Sequence, residues 1–402
     1  MNPSAANWIP KFLNRFKKQE LINEFKDEKF FYDRLKSIGF IYGVSVFAVQ
    51  NEPVSHLTLT KEEFTKINLF HALLFTFFSK NPTASFDDAF KAIVNFYDNI
   101  GKGKTGFFQK FTLSQSPINN LEQILAARLY EANNLFQKSP ASLVTYALLY
   151  SDVLAFRGFL ISPENLKQHI DELETTIISC SFLALTSKEK KNKDDIHLLE
   201  LFKSSSEYLY EKSSSGQIFT IEGIQYLSQK SILEKRYLLD LCILAIHDDH
   251  EVDASEYVFV KELSAVLGFS LDDLDESIES LRKFSALHSE KIQLFKYSNP
   301  VNQFYRQSTK TVKNLILRNK SRLGKELDES SELLILLGQS TIRDLNAEEK
   351  TKVKEQLLDI CKTIPSLTIF LLPGGTLLLP LLVKFIPKLL PSSFQDNRID
   401  KK

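Results

Sequence analysis

The residues best suited to chemistry lie in "HDDHEVDASE", residues 247–256. Asp248, Asp249, Glu251, Asp253 and Glu256 offer hard oxygen donors of the kind that hold a divalent cation. The spacing is not that of an EF-hand. Counted from Asp249, the sixth position is Ala254 where glycine is needed, and the twelfth is Val260 where a bidentate carboxylate is needed. His247 and His250 stand beside Glu251, but spacing supplies no third zinc ligand. A plainer reading uses the same residues to start a helix. Asp253 caps it, Glu256 closes a capping box, and the other carboxylates favour the positive helix end. A protein-docking face is a third reading of the loop.

Two further stretches look chemical and are not. "DNIGKGKTG" ends like a phosphate-binding loop at Gly103-Lys104-Thr105, but Asp98 occupies the position of the first glycine. Its carboxylate would repel the phosphates such a loop cradles. "GVSVF", residues 43–47, lacks the second glycine of a nucleophile elbow. Cys180, Cys242 and Cys361 are odd in number and widely spaced in apolar helical patterns. They form neither a disulfide framework nor a zinc spacing and fit a reducing compartment. No catalytic constellation remains, so an enzyme is the least supported class, with no small-molecule substrate and no cofactor beyond the cation considered above.

The elements that must position these residues are helices. Glycine and proline number 13 each in 402 residues, and helix formers dominate, so the expected fold is all-α. Net charge is zero, yet charge is segregated. Residues 247–279 hold eleven carboxylates and one basic residue, Lys261; residues 291–325 hold nine Lys and Arg and no acid. Such blocks either meet or face different partners. The opening residues carry no signal peptide. Trp8, Ile9, Phe12, Leu13 and Phe16 fall on one helical face, which either docks on the body or lies at a membrane interface. "INLFHALLFTFFS" is too short an uncharged run to span a bilayer and reads as a core helix. "FDDAFKAIVNFYDNI" reads as a helix ending in a glycine turn.

Around the acidic loop, Leu239, Cys242, Ile243 and Ile246 form one helical stripe and Val260, Leu263 and Leu267 a second, closed by Gly268. Ser270 with Asp273 starts a third helix. This layout resembles the TerB-like helical domain of tellurite-resistance proteins. The resemblance implies a compact helical module whose acidic loop binds a cation or a partner.

Nearer the C-terminus, Asn346 and Glu349 cap a helix with Val353, Leu357, Ile360, Cys361 and Ile364 on one face. It leads into "IPSLTIFLLPGGTLLLPLLVKFIPKLLPSSF", residues 364–394. The uncharged run from Thr363 to Val383 has 21 residues. As one helix it would extend ~31 Å, enough for a hydrocarbon core. Pro373, Gly374 and Gly375 break it midway. A kinked span, a re-entrant hairpin and a broken helix pair buried in protein each satisfy the backbone. Lys384 and Lys388 could reach headgroups from the far end.

This region resembles the membrane segment of the Letm family, the leucine-zipper and EF-hand-containing transmembrane proteins. Leu345, Glu349, Asp359, Lys362, Pro365 and Pro373 carry the resemblance, followed by "LLP-x-x-x-K-x-x-P-x-x-LPS-x-F" through Pro380, Lys384, Pro387, Pro391 and Phe394. With an acidic TerB-like module before it, the chain is similar to bacterial Letm-related proteins of the biofilm-associated type. The resemblance implies membrane contact, ion homeostasis or cation/proton exchange, and ribosome binding. Two departures bear on what it implies. Mitochondrial members carry an acid where Thr376 stands, and a threonine cannot trade protons for cations. Those members continue into a ribosome-binding domain, whereas the sequence ends at Lys402.

The organisation expected is a helical N-terminal body (1–230), a TerB-like acidic module (231–290), a basic helical connector (291–344) and a Letm-like segment with a short tail (345–402). The expected function is that of a non-enzymatic, membrane-associated adaptor or ion-homeostasis component, its body cytoplasmic and its C-terminal segment at the membrane (the inner membrane in a bacterium). Protein partners are expected for the body. The rivals are a wholly soluble interaction module that buries the segment 364–391, and a ribosome-binding or cation/proton exchange protein.

Overall fold

Helix-forming residues with apolar stripes at three- and four-residue spacing dictate the architecture, and the computed structural model is all-α, with no strand among the described residues. It describes residues 1–22, 24–100, 116–134, 146–189, 191, 196, 199–201, 203–204, 220–224, 227–247, 253–288, 309, 312–317, 319–364, 367, 370 and 378–390.

The first helices are α1 (Trp8–Arg15), α2 (Lys18–Ile22), α3 (Glu28–Ser37), α4 (Lys61–Lys80), α5 (Phe86–Ile100) and α6 (Pro117–Asn134). After them come α7 (Tyr150–Ile161), a 3₁₀ turn (Pro163–Asn165) and α8 (Leu166–Ser187). The acidic module is α9 (Ile232–Ile246), α10 (Ala254–Leu267) and α11 (Leu271–His288). The C-terminal unit is α12 (Lys320–Glu329), α13 (Ser331–Gln339), α14 (Ala347–Thr363) and α15 (Leu379–Leu389).

Burial on all sides puts α4 and α8 at the centre. Every residue of α4 from Ile67 to Phe78 is buried, as the uncharged run in the sequence requires of a core helix. It packs against α7, which packs on α8, which in turn carries α9 and α10. One continuous apolar core therefore links the N-terminal body to the acidic module.

Of the two readings of the first helix, docking is the one observed. Trp8, Ile9, Phe12 and Phe16 are buried, with Trp8 edge-on to Phe70 at 5.3 Å between ring centres. No side chain of its own caps α1. Instead Glu122 of α6 accepts hydrogen bonds from the N–H groups of Asn7 and Ile9, both at 2.7 Å. A carboxylate at a helix N-terminus is favoured electrostatically and satisfies donors that would otherwise be orphaned.

Two buried ion pairs tie separate helices together. Asp152 of α7 takes Arg128 of α6 through two N–H groups, at 2.7 and 2.9 Å, and the Tyr97 hydroxyl of α5 at 3.0 Å. Asp240 of α9 takes Lys36 of α3 at 2.9 Å and the Tyr32 hydroxyl at 2.7 Å. Lys36 also donates to Ser277 of α11 at 3.3 Å, so one lysine joins the body to two helices of the acidic module. Burial, and then the Asp240 charge, push the Tyr32 hydroxyl well above its ordinary pKa.

The turn after α3 needs a residue without a side chain. Gly39 has φ +85°, and a Cβ there would lie 2.0 Å from the Val44 carbonyl oxygen and 2.2 Å from the Phe284 ring of α11. All three cysteines are buried and free, and Cys242 and Cys180 meet between α9 and α8. Burial, then that contact, raise the Cys242 thiol well above its ordinary pKa.

Candidate functional site in the C-terminal unit

Two of the five proposed metal ligands lie in described residues, and both are spent on capping α10. Asp253 accepts from the Glu256 N–H at 2.8 Å and from the Ser255 hydroxyl at 2.7 Å, while Glu256 accepts from the Asp253 N–H at 2.9 Å. Burial opposes ionisation of Asp253, but these hydrogen bonds outweigh it and hold the carboxyl below its ordinary range. The helix closes at Gly268 with φ +82°, and Ser270 caps α11, its hydroxyl accepting from the Asp273 N–H while the Asp273 carboxylate accepts from the Ser270 N–H. Asp248, Asp249 and Glu251 lie outside the described residues. Among the described residues no group of three His, Cys, Asp or Glu is arranged to hold a metal ion.

The C-terminal unit is built from its caps upward. Asn346 and Glu349 form the capping box of α14 that their spacing predicts. Arg343 then clamps Glu349 with two N–H groups, at 2.8 and 2.6 Å. That clamp, with the Asn346 N–H, draws the Glu349 carboxyl down to about 2. Glu332 of α13 receives Lys352 at 2.9 Å and Gln356 at 3.0 Å, which zips α13 to α14. Asp359 and Lys362, two positions of the Letm resemblance, pair at 2.6 Å on the same helix.

Helix α14 ends at Thr363, and Ile364 is extended, so it does not run on into the apolar stretch. Within that stretch Ile364, Leu367, Phe370 and Leu378 are buried, and so are Leu381, Leu382, Phe385 and Ile386 of α15. The described apolar residues thus face the protein's own core. No helix among the described residues is long and apolar enough to cross a membrane. Pro380 occupies the first turn of α15, where its missing N–H costs nothing, and Pro387 sits in the last turns. Lys384 and Lys388 project outward one turn apart. Pro365, Pro373, Gly374, Gly375, Thr376 and Pro391 lie outside the described residues.

Beside α15 lies a cleft of about 460 Å³. Arg343, Lys350, Lys384 and Lys388 line it, with Glu200 and Asp344 as the opposing acids and Leu345, Pro380 and Leu381 as its apolar part. Sequence reasoning found Lys384 and Lys388 but missed Arg343 and Lys350. Neither belongs to a motif, and only the antiparallel return of α14 on α13 brings them to the end of α15.

The fold and this site define a helical protein with a small, separately capped C-terminal unit that presents lysines over a buried apolar face. Residues 345–402 match the family described as LETM1-like, RBD. The part of the C-terminal unit from Leu345 onward, with α14 and α15, is similar to that family's domain, and α12 and α13 lie outside the match. The match puts the RBD description on this stretch itself, which its sequence likens to the family's membrane segment, with a ribosome-binding domain expected only in members that continue beyond it. Comparisons with curated proteins and with solved structures gave no match.

Proposed function

We propose that the chain is a non-enzymatic adaptor whose Letm1-like C-terminal unit docks on the ribosome. The observation that carries this reading is the match of residues 345–402 to a family whose description names an RBD. The geometry agrees with it. Apolar residues turn inward, while Lys384 and Lys388 stand exposed beside Lys350, as a surface that tracks phosphates requires. Sedimentation of purified protein with ribosomes over a salt series tests it. Pelleting that weakens with salt, and that falls in Lys384→Glu/Lys388→Glu while the melting temperature holds, is the expected result. No pelleting at low salt, or a charge-reversed variant that pellets like the wild type, sinks the reading.

Membrane contact through residues 364–391, with the helical body in the cytoplasm, is the second reading. The 21-residue uncharged run from Thr363 to Val383 favours it. It requires the buried residues from Ile364 to Ile386 to leave the core. Retention of the full-length chain in membranes after alkaline carbonate supports this reading, and release overturns it. Ion homeostasis, cation/proton exchange and the biofilm-associated type rest on the sequence resemblance alone, and so does the TerB-like assignment of α9–α11.

A further inference from the structure

The outward face of α10 is largely apolar. Ala254, Tyr257, Val258, Ala265 and Val266 are all exposed there, Val258 at 52% and Val266 at 39%. Only Lys261 and Glu262 interrupt them. At about 100° per residue, Ala254, Val258 and Ala265 share the centre of this face with Lys261, opposite the buried stripe of Val260, Leu263 and Leu267, and Tyr257 and Val266 flank it on either side. The tight turn at Gly268 folds α11 back against α10 and places a second set of groups beside the first. Leu271 is exposed at 51%, and Asp272, Asp275 and Glu276 are exposed around it. None of these three acids, nor Glu262, forms an ion pair among the described residues. On α11 itself Arg282 and Lys283 both pair with Glu279, and Arg236 of α9 is taken by Asp273.

We infer that the α10–α11 hairpin is a docking surface for a basic amphipathic helix of a partner protein. An apolar strip along about four turns of α10 suits the apolar face of a second helix. Unneutralised carboxylates on the flank specify lysine or arginine at that helix's edge. The same charge disfavours a second copy of this chain, because pairing α10 with α10 would bring two acidic flanks together. The surface lies on the acidic module, apart from the C-terminal unit, and does not depend on the ribosome reading.

The test uses the full chain and a labelled helical peptide of Leu and Lys, about five turns long, read by fluorescence anisotropy. A matched peptide with Glu for Lys is the comparator. The Lys peptide is expected to bind and the Glu peptide not to. Val258→Ser/Val266→Ser removes the apolar strip without changing charge and should weaken binding roughly tenfold. Asp272→Asn/Asp275→Asn/Glu276→Gln should weaken it similarly and flatten its salt dependence. All these positions are exposed, and circular dichroism confirms the fold of each variant. Equal binding of both peptides, or wild-type binding by both variants, overturns the proposal. So does sedimentation equilibrium showing dimers that dissociate in Val258→Ser/Val266→Ser.

Discussion

Lys36 and Asp240 are each buried, at 6% and 2% side-chain exposure, and either is stranded if the other is removed. Lys36→Met should therefore cost about 3–5 kcal/mol in urea unfolding, because it leaves an uncompensated buried carboxylate. Lys36→Met/Asp240→Leu should recover most of that loss, and a double-mutant cycle measures the coupling. His71 behaves oppositely. Its Nε2–H donates to the Leu21 carbonyl at 2.8 Å inside a cage of Phe12, Phe25 and Phe31. Burial lowers its pKa from 6.5 to about 4, despite that hydrogen bond. A folded-state pKa below the unfolded one means the neutral form is the stabilised one. The contribution is complete above pH 6.5 and disappears as pH falls toward 4, about 3 kcal/mol in all. His71→Gln should flatten that acid limb in unfolding titrations between pH 7 and 4. Neither feature was legible in the sequence, since a lone histidine in an apolar run and a lysine distant from its partner carry no motif.

Local signals served better for whole elements. The Asn346/Glu349 and Asp253/Glu256 boxes, the Gly268 stop and the extent of α5 are all where spacing placed them, because each depends on neighbours within one turn. The cap of α1 was hidden for the opposite reason: its donor groups and Glu122 lie 113 and 115 positions apart. Glu122→Gln should cost about 1–2 kcal/mol in thermal unfolding. Trp8, the chain's one tryptophan, should shift its emission to the red as α1 loosens. Gly39→Ala should be worse for the turn after α3, which packs on α11. It combines a positive φ with a clash against backbone and the Phe284 ring, and about 2–4 kcal/mol is expected by the same measurement.

At the scale of the molecule, the all-α class followed from composition and periodicity, and the placement of the C-terminal segment did not. Hydropathy gives residues 363–383 the look of a span, but it cannot distinguish lipid from a protein's own core as the apolar surroundings. The prolines were the informative part. Pro380 lies in the first turn of α15, and from there Leu381, Phe385 and Ile386 turn inward. Phe385→Ala should accordingly destabilise the folded chain by about 3 kcal/mol, measured by urea unfolding. A residue that only faced lipid would leave that measurement unchanged.

The distant cap on α1 also sets an order of events during synthesis. The chain emerges N-terminus first, and at ~5–20 residues per second the 113 positions between Ile9 and Glu122 take roughly 6–23 s to make. For that interval Trp8, Phe12 and Phe16 have neither their cap nor the completed surface that covers them. Helix α1 thus waits on α6 to be secured, and until then the nascent chain carries an uncovered aromatic stripe of the kind holdase chaperones take up.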